Sequence, residues 1–238
     1  MISFIVPTLN EGEHLRKTLE GLKQYTGNGE IIVSDGGSKD ETAKIAREYT
    51  DKVLVYSGEK KQGISGGRNA GAAAASGEIL VFVDADVYIP NINQFFAKVE
   101  KIFENQKIVA MTTYYRVWPE MATWADKLVF KTVGLLYVLY NNVFHVGGSG
   151  GELQIIRAAV FRQVGGFDGK IKVGEDNELF WRLAKVGRTH FERSLFIYHT
   201  NRRGHQIGWP RLIYDWTING LYVLIFRRAK DDEWKVIR

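Results

Sequence analysis

Two carboxylates with one residue between them, Asp84-Ala85-Asp86, are the part of the sequence whose residue types and spacing most directly suggest chemistry. They follow the apolar run 80–83, and a two-residue spacing at the end of a strand can put both side chains on the same side. Two close carboxylates repel each other unless a cation lies between them. Hard oxygen ligands suit Mg²⁺ or Mn²⁺, which can also bridge to a diphosphate. The segment therefore predicts a divalent metal site, although a polar surface loop has the same composition.

A second carboxylate at the end of an apolar run is Asp35, which precedes Gly36, Gly37 and Ser38. In this position Asp35 can accept hydrogen bonds from a base or a ribose, and the glycines allow a planar ring to approach the backbone. The same residues also fit an ordinary turn from a strand to a helix that Ser38 caps. Both interpretations remain open from these residues alone.

Arg68 lies within 66–71, a segment of small residues that allows close packing of a helix. Its planar guanidinium can bind either a phosphate or a carboxylate partner. The segment is not the dinucleotide fingerprint, because no Gly-x-Gly-x-x-Gly follows the first apolar run, and a Walker A lysine is also missing. These absences disfavour Rossmann oxidoreductases and P-loop nucleoside triphosphatases.

Asp176 and His199 are two further candidates for chemistry. Asp176 follows Glu175 at the start of a predicted helix, where the helix dipole keeps a carboxylate ionised, as a general base requires. Alternatively, Glu175 and Asp176 only stabilise the helix through its dipole and take no part in catalysis. His199 follows the predicted strand 195–198 and precedes two arginines, so metal ligation, phosphate contact and a structural role all fit it.

The elements that must position these residues are read from apolar periodicity. Strand and helix patterns alternate in the first half, which predicts an α/β fold with a largely parallel, doubly wound sheet flanked by helices. In such sheets, ligands bind beyond the carboxyl ends of the strands. Capping boxes are predicted at Asn10 with Glu13 and at Ser38 with Glu41. The predicted strands of this half are 3–7, 30–34, 53–56, 79–83 and 109–115.

The second half is less regular. Its pattern predicts a helix at about 122–140, a strand at 152–156, a helix at 175–186 and an amphipathic helix at 209–226. No segment has the composition of a linker, so residues 1–238 are expected to form a single domain.

Composition limits the classes of protein that the chain can represent. The 238 residues include no cysteine, which excludes disulfides, thiolate zinc sites and cysteine nucleophiles. The net charge of +5 and the pI of about 9.2 suit anionic ligands. The basic residues are spread out and form no groove-reading motif, so we expect no nucleic-acid partner. The N-terminus lacks the basic segment of a signal peptide, and no apolar run approaches ~20 residues, so we expect a cytoplasmic protein.

Taken together and in this order, six segments resemble the motifs of family 2 glycosyltransferases with the GT-A fold. The resemblance covers roughly residues 3–187. It implies an inverting transfer of a sugar from a nucleotide diphosphate sugar, with residues 1–115 binding the donor and 116–238 the acceptor. The six segments are 6–11, 35–40, 68–71, 84–86, 165–168 and 175–176.

The resemblance also implies a role for individual residues. Asp176 matches the catalytic base, and Asp84, Asp86 and His199 match the ligands of Mg²⁺ or Mn²⁺. The nine residues that would bind the donor are Pro7, Thr8, Glu11, Asp35, Gly37, Arg68, Asp84, Ala85 and Asp86.

The sequence departs from the family pattern at two places. Gly36 follows Asp35 where a second acid is usual, which removes one ribose contact. The segment 206–211 does not match the Gln-x-x-Arg-Trp signature of processive synthases, which favours transfer of a single sugar. The acceptor is expected to be a sugar, a small molecule or a lipid-linked compound, and a phosphate acceptor would need no base.

Two other functions remain alternatives: a nucleotidyltransferase and a non-catalytic protein that binds carbohydrate or a lipid surface. A nucleotidyltransferase normally has a Gly-rich basic loop after its first strand, where this chain has 8–11. Peripheral membrane contact is a further hypothesis, because aromatic and basic residues are mixed in 209–228 and 133–144 is strongly apolar. Packing of the same helix on its own domain fits equally well.

Overall fold

One seven-stranded mixed sheet forms the centre of the computed structural model, which describes residues 1–59 and 62–226. The order of the strands across the sheet is β3-β2-β1-β4-β6-β5-β7. The strands are β1 (Ile2–Thr8), β2 (Gly29–Asp35), β3 (Val53–Val55), β4 (Ile79–Val83), β5 (Ile108–Val117), β6 (Leu153–Arg157) and β7 (Arg188–His199).

Helices cover both faces of this sheet. A π-helical turn, Leu139–Val143, continues α5 without a break. The helices are α1 (Gly12–Lys23), α2 (Thr42–Tyr49), α3 (Ile64–Ala74), α4 (Ile92–Phe103), α5 (Trp124–Val138), α6 (Ala158–Gln163), α7 (Glu175–Ala184), α8 (Arg202–Ile207) and α9 (Trp209–Phe226).

The sheet is largely parallel, as the alternation of elements predicts. β1 pairs in parallel with β2 and β4, β2 with β3, and β5 with β7. The exception is β6, which runs antiparallel between β4 and β5. Strands buried on both faces are almost continuously apolar, and this explains why they can be located from the sequence.

Two apolar cores lie on opposite faces of the sheet, because successive strand residues point to opposite sides. Phe4 and Val81 face the core beneath α1 and α4, where Phe96 is fully buried. Ile5 and Phe82 face the second core, beneath α3, α6 and α7. Both cores lie below the carboxyl ends of the strands and support the residues at that edge.

The two predicted capping boxes are wrong. α1 begins at Gly12 after Glu11, and α2 begins at Thr42 after Glu41, neither with a side-chain cap. The hydroxyl of Ser38 instead accepts from the backbone N–H of Asn10 (2.7 Å), and Oδ1 of Asn10 accepts from the N–H of Lys39 (2.7 Å). These side chains bond across two loops, so they join the β1–α1 and β2–α2 connections at the carboxyl edge of the sheet.

α9 begins at Trp209 as predicted and is helical as far as the described residues extend, and its inward residues Leu212, Asn219 and Val223 are buried. Its predicted basic end, Arg227-Arg228, lies outside the described residues. Within the described ranges, no helix combines the length and the apolar character that crossing a bilayer requires.

Candidate active site

Most of the candidate residues lie at the carboxyl edge of the sheet. Thr8 and Asp35 end β1 and β2, which are neighbours, and they are paired in register. Asp84 follows β4, and its backbone N–H bonds to the carbonyl of Glu152 (3.2 Å), which precedes β6. His199 ends β7. The parallel strands therefore bring residues that are far apart in sequence to one edge, as expected for this class of sheet.

Arg68 is the central cation of the site and is only 2 % exposed. Its Nη1 donates to Oδ1 of Asp176 (2.7 Å) and to Oε1 of Glu175 (3.2 Å). Its Nη2 donates to Oδ1 of Asp84 (3.0 Å) and to the carbonyl of Gly151 (2.9 Å). The sequence allows either a phosphate or a carboxylate as the partner of Arg68, and in the structure its side-chain partners are carboxylates. One buried guanidinium thus holds the predicted base and a predicted metal ligand in one arrangement.

Acids outnumber cations around Arg68, and this changes their pKa values. Burial, with Asp86 nearby, raises the pKa of Asp84 to about 6 in spite of Arg68. Burial, with Asp176 beside it, raises the pKa of Glu175 to about 8. Burial also raises the pKa of Asp176, although Arg68 acts in the opposite direction. Burial, together with the neighbouring acids, therefore favours protons or a bound cation in this site.

Glu152 is a site residue that the sequence analysis missed. Burial, together with Asp84 and the other acids, raises its pKa to about 8. It stands immediately before β6 in a glycine-rich segment, and no chemical pattern singled it out. Only the antiparallel insertion of β6 beside β4 brings it next to Asp84.

Asp86 is close enough to Asp84 to affect its pKa, but the two carboxylates have different partners. Asp86 accepts a hydrogen bond from the hydroxyl of Thr200, and its Oδ2 is 3.7 Å from Nη2 of Arg202. The same Nη2 of Arg202 donates to Oε1 of Glu11 (2.9 Å). Arg202 thus bridges two acids that the resemblance assigns to the donor and the metal. The pair of arginines after β7 was noted in the sequence, but this placement of Arg202 was not foreseen.

His199 is buried, and its Nε2 has no hydrogen-bond partner in the part of the chain that the structure describes. The rings of Phe130 and Tyr115 lie edge-on to it, at centroid distances of 4.8 and 6.5 Å. Burial lowers the pKa of His199 to about 4, although Asp86 acts in the opposite direction. A neutral imidazole with an orphaned nitrogen is the form that can ligate a metal ion.

The side chains at this edge supply only part of the ligand set of a hard divalent cation. Across 1–59 and 62–226, no three His, Asp or Glu side chains are grouped closely enough to hold a metal by themselves. Asp86 and the orphaned nitrogen of His199 are suitable donors, whereas Asp84 is bound by Arg68. Mg²⁺ is usually held by one or two carboxylates, with substrate phosphates and water completing its shell. The residues present match that kind of incomplete site.

The predicted nucleotide pocket has a mixed outcome. Asp35 is fully buried, and its carboxylate accepts hydrogen bonds from the N–H (3.1 Å) and the hydroxyl of Ser38. Asp35 thus stabilises the turn after β2, although Ser38 does not cap α2 as the alternative interpretation expected. Contact of Asp35 with a base stays a prediction. Gly37 has a φ of +89°, and a Cβ there would be 3.1 Å from the carbonyl of Tyr56, so glycine is required. Thr8 Oγ1 is buried with no partner among the described residues.

Pro7 and Ala85 are buried residues of the edge rather than exposed contacts. Pro7 is paired with Ser34 across β1 and β2. The carbonyl of Ala85 accepts from the hydroxyl of Thr18 on α1 (2.7 Å), which fixes the backbone between Asp84 and Asp86. Their packing positions the neighbouring side chains, and any backbone contact with a donor stays a prediction.

The buried carboxylate of Asp126 forms hydrogen bonds to the segment 201–209, which contains Arg202. It accepts hydrogen bonds from Asn201 (2.8 Å), His205 (2.8 Å) and Trp209 (2.9 Å). It also accepts from the N–H of Thr123 (2.7 Å) in a capping box at the start of α5. Burial alone would raise the pKa of Asp126, but the hydrogen bonds from His205, Thr123 and Trp209 lower it to about 2.

Two cavities differ in their relation to these residues. A cavity of about 160 Å³ is lined by Asp86, Thr200 and Arg202, together with Tyr88 and Trp118. A larger one of about 700 Å³ lies between α1 and α2, near the amino ends of the strands, and contains none of the candidate residues. The smaller cavity adjoins the candidate site, because the predicted metal ligand Asp86 lines it.

The model of the family "Glycosyl transferase family 2" matches residues 3–165. An uncharacterized glycosyltransferase of Rickettsia prowazekii is 26 % identical over 209 residues, which cover 83 % of this chain and 63 % of that protein. Glycosyltransferase GlyA of Streptococcus pneumoniae is 34 % identical over 117 residues, covering 48 % of this chain and 17 % of that protein. The chain therefore spans less than two thirds of the length of these relatives.

Solved structures share the fold at low identity. The mannosyltransferase PcManGT of Pyrobaculum calidifontis, in complex with GDP-Man and Mn²⁺, has a TM-score of 0.68 and 20 % identity over 84 % of this chain and 56 % of that one. The glucosyl-3-phosphoglycerate synthase of Mycobacterium tuberculosis, in complex with Mn²⁺ and UDP-Glc, has a TM-score of 0.65 and 19 % identity over 95 % and 78 %. The seven-stranded sheet is thus the expected GT-A fold, and the chain belongs to glycosyltransferase family 2.

Proposed function

We propose that this chain transfers one sugar, with inversion, from a nucleotide diphosphate sugar of the UDP or GDP type to a hydroxyl or a lipid phosphate, assisted by Mg²⁺ or Mn²⁺. The observation that carries the proposal is the cluster in which Arg68 holds both Asp176 and Asp84 at the carboxyl edge of the sheet. Structural neighbours that were solved in complex with GDP-Man, UDP-GlcNAc and UDP-Glc support this class of donor.

The diphosphate of the donor would lie near Asp86 and Arg202. Asp86 and His199 would hold the metal ion, and Asp84 would face the ribose or the metal. When bound, the metal supplies positive charge that stabilises the leaving diphosphate. Arg202 adds a second positive charge at the same place, since its guanidinium already lies between the carboxylates of Glu11 and Asp86.

Asp176 would act as the general base. It stands in the first turn of α7 with 17 % of its side chain exposed, so it can reach an acceptor while Arg68 fixes its orientation. The raised pKa of Asp176 makes it a stronger base than a solvated aspartate. It would take the proton of an acceptor hydroxyl while the oxygen attacks the anomeric carbon opposite the diphosphate, through an oxocarbenium-like transition state.

In this proposal, residues 116–238 bind the acceptor and residues 1–115 bind the donor. A hydroxyl acceptor needs the base, whereas a phosphate oxygen is already ionised and needs only positioning. A lipid-linked acceptor would agree with peripheral membrane contact through α9, whose outer residues Ile213, Tyr214 and Ile225 are exposed. Both the acceptor and this contact stay predictions.

The experiment is a thermal-shift panel of UDP, GDP, CDP and dTDP, and of their common sugars, with and without Mn²⁺. A ligand that binds only the folded state raises the melting temperature. We expect one base to give a Mn²⁺-dependent shift that Asp86→Ala removes, while Asp51→Ala, an exposed acid at the opposite edge, keeps it.

A shift with nucleotides but no sugar transfer to any acceptor would support the binding protein. Release of pyrophosphate, rather than of a nucleoside diphosphate, would support the nucleotidyltransferase. No shift with any nucleotide, with or without Mn²⁺, would contradict the proposal.

A further inference from the structure

The outer side of α5 and its π-helical turn exposes an unusual number of large apolar side chains. Trp124 is 76 % exposed and Phe144 is 62 % exposed. Trp124, Leu128 and Leu135 recur at helical spacing and lie on one side. A soluble monomer rarely leaves so many large apolar groups together in water. We define the α5 face as Trp124, Leu128, Leu135, Leu136, Tyr140, Val143, Phe144 and Val146.

The charges on this stretch are of one sign. Between residues 124 and 146 the only acid is Asp126, which is buried and bonded to Asn201 and Trp209. Lys127 and Lys131 are exposed, and each lies about one helical turn after an exposed apolar residue, Trp124 and Leu128 respectively. The α5 face is therefore apolar with a positive charge, which is the composition of surfaces that bind anionic lipids.

We propose that the α5 face docks on the surface of an anionic lipid bilayer. The position of Lys131, between Leu128 and Leu135 on the same side of α5, favours lipid over a protein partner. A protein interface would bury the ammonium group and would need an acid of the partner at that point, because an unpaired buried charge has a high cost in free energy. At a bilayer, the lysine stem can lie along the apolar region while the ammonium group reaches the phosphates.

Hydrogen bonds connect the α5 face to the catalytic edge. In the π-helical turn, Asn141 donates to the carbonyl of Gly148 (2.8 Å). The N–H of the next residue, Ser149, donates to Oδ1 of Asn177, which follows Asp176 (3.3 Å). Docking would thus hold the candidate base at a fixed distance from the membrane. The docking itself does not depend on the proposed sugar transfer and can be tested without a donor.

The test is flotation of the full chain with vesicles of phosphatidylcholine alone or of phosphatidylcholine mixed with phosphatidylglycerol. We expect the chain to float with the mixed vesicles at low salt. The double variant Trp124→Ser/Phe144→Ser should bind at least about tenfold more weakly, since burial of one aromatic side chain is worth more than that factor. The matched control Val55→Ser/Val186→Ser, at exposed apolar residues elsewhere, should float like the unaltered chain.

Two further variants separate the two contributions. Lys127→Glu/Lys131→Glu should lose more than about tenfold of its binding to the mixed vesicles, because each lysine near an anionic surface contributes about fivefold. Leu128→Ser/Leu135→Ser repeats the apolar test at independent positions, and the melting temperature of each variant checks that it is folded. Failure of the unaltered chain to float, or flotation of both serine variants like the control, would overturn the proposal. The proposal would also be overturned if the unaltered chain were a dimer and Trp124→Ser/Phe144→Ser dissociated it, because the α5 face would then be covered by a second copy of the chain.

Discussion

Nη1 of Arg68 donates to Oδ1 of Asp176 across 2.7 Å, although the two residues are 108 positions apart in the chain. Arg68 comes from α3 and Asp176 from the first turn of α7, on the same face of the sheet. The candidate base is therefore held by a side chain that is itself fully enclosed. This relationship makes the stability of the fold and the geometry of the site depend on the same ion pair.

Arg68→Ala should destabilise the fold by about 3–5 kcal/mol, because removing the cation leaves Asp84, Glu175 and Asp176 without compensation in a buried site. Urea denaturation followed by circular dichroism measures this loss. The control is Arg16→Ala, which breaks an exposed ion pair with Glu48 and should change little. Equal effects of the two substitutions would show that Arg68 is not the central cation of a buried cluster.

The metal-free protein should lose stability as the pH rises from about 4.5 to about 8. Glu152 and Glu175 have folded-state pKa values of about 8, and Asp84 of about 6, all above their ordinary values. Over this range the folded state binds more protons than the unfolded state, so the free energy of unfolding falls with pH. Melting temperatures measured across the range test this expectation.

Glu152→Gln should flatten that pH dependence, because the amide cannot ionise, whereas Glu59→Gln, an exposed site, should leave it unchanged. A flat profile for the unaltered chain, or the same slope in Glu152→Gln, would contradict the assignment of these acids as the cause.

Asp176→Asn distinguishes the two classes of acceptor. With a hydroxyl acceptor, loss of the base should lower kcat by about 10²–10⁴-fold while nucleotide binding changes little. With a phosphate acceptor, most of the activity should remain. Single-turnover rates together with donor binding by calorimetry measure the two quantities. The neighbouring Asn177→Asp serves as a control for disturbance of the α7 start, and an equal loss of rate there would argue against a specific role of Asp176.

Asp126→Ala should release the segment that carries Arg202. The loss of hydrogen bonds from Asn201, His205 and Trp209 should cost about 3 kcal/mol and make the chain after β7 sensitive to limited proteolysis. Since the pKa of Asp126 is lowered to about 2, its contribution is present above pH 3.8 and is lost as the pH falls through 2. Asp51→Ala is the exposed control, and cleavage of both variants at the same rate would contradict the role of Asp126.

Gly71→Ala and Gly220→Ala form a matched pair within helices. A Cβ at Gly71 would lie 2.4 Å from Cγ2 of Ile5, so α3 would have to move away from β1, at a cost of about 1–3 kcal/mol. A Cβ at Gly220 meets no atom of the described residues within 4 Å, and alanine there should stabilise α9 by up to about 1 kcal/mol. Thermal denaturation of the two variants should give shifts of opposite sign, and shifts of the same sign would refute the packing argument.

Apolar periodicity was enough to locate β1 to β6 and to predict a largely parallel sheet, because strands buried on both faces are continuous apolar runs. β7 was predicted only at 195–198, since the first half of Arg188–His199 is polar. The acids at the strand ends were also recognisable, since Asp35, Asp84 and Asp86 each follow such a run. The capping boxes failed because Asn10 and Ser38 bond across two loops. A local pattern contains no information on which of several nearby partners a side chain will choose.

The residues that were missed share one property: their neighbours come from distant parts of the chain. Glu152 meets Asp84 only because β6 is inserted next to β4. Arg202 meets Glu11 across 191 positions. Neither belongs to a spaced motif, so the sequence offers no local signal for them. An orphaned nitrogen on His199, in contrast, is a signal that only a structure can provide.

The position of β6 also has a consequence for how the chain acquires its fold during synthesis. Among the strands of residues 1–59 and 62–226, β5 pairs with β6 and β7 alone, and both are made after it. When Ile108–Val117 leaves the ribosome, four strands of the sheet can assemble, but β5 must wait for Leu153–Arg157 and Arg188–His199. Such non-local pairing slows folding and leaves an unpaired apolar strand open to other chains in the meantime. The carboxyl edge is therefore completed last, when the segment after the final strand brings Arg202 to Glu11, which is translated near the beginning.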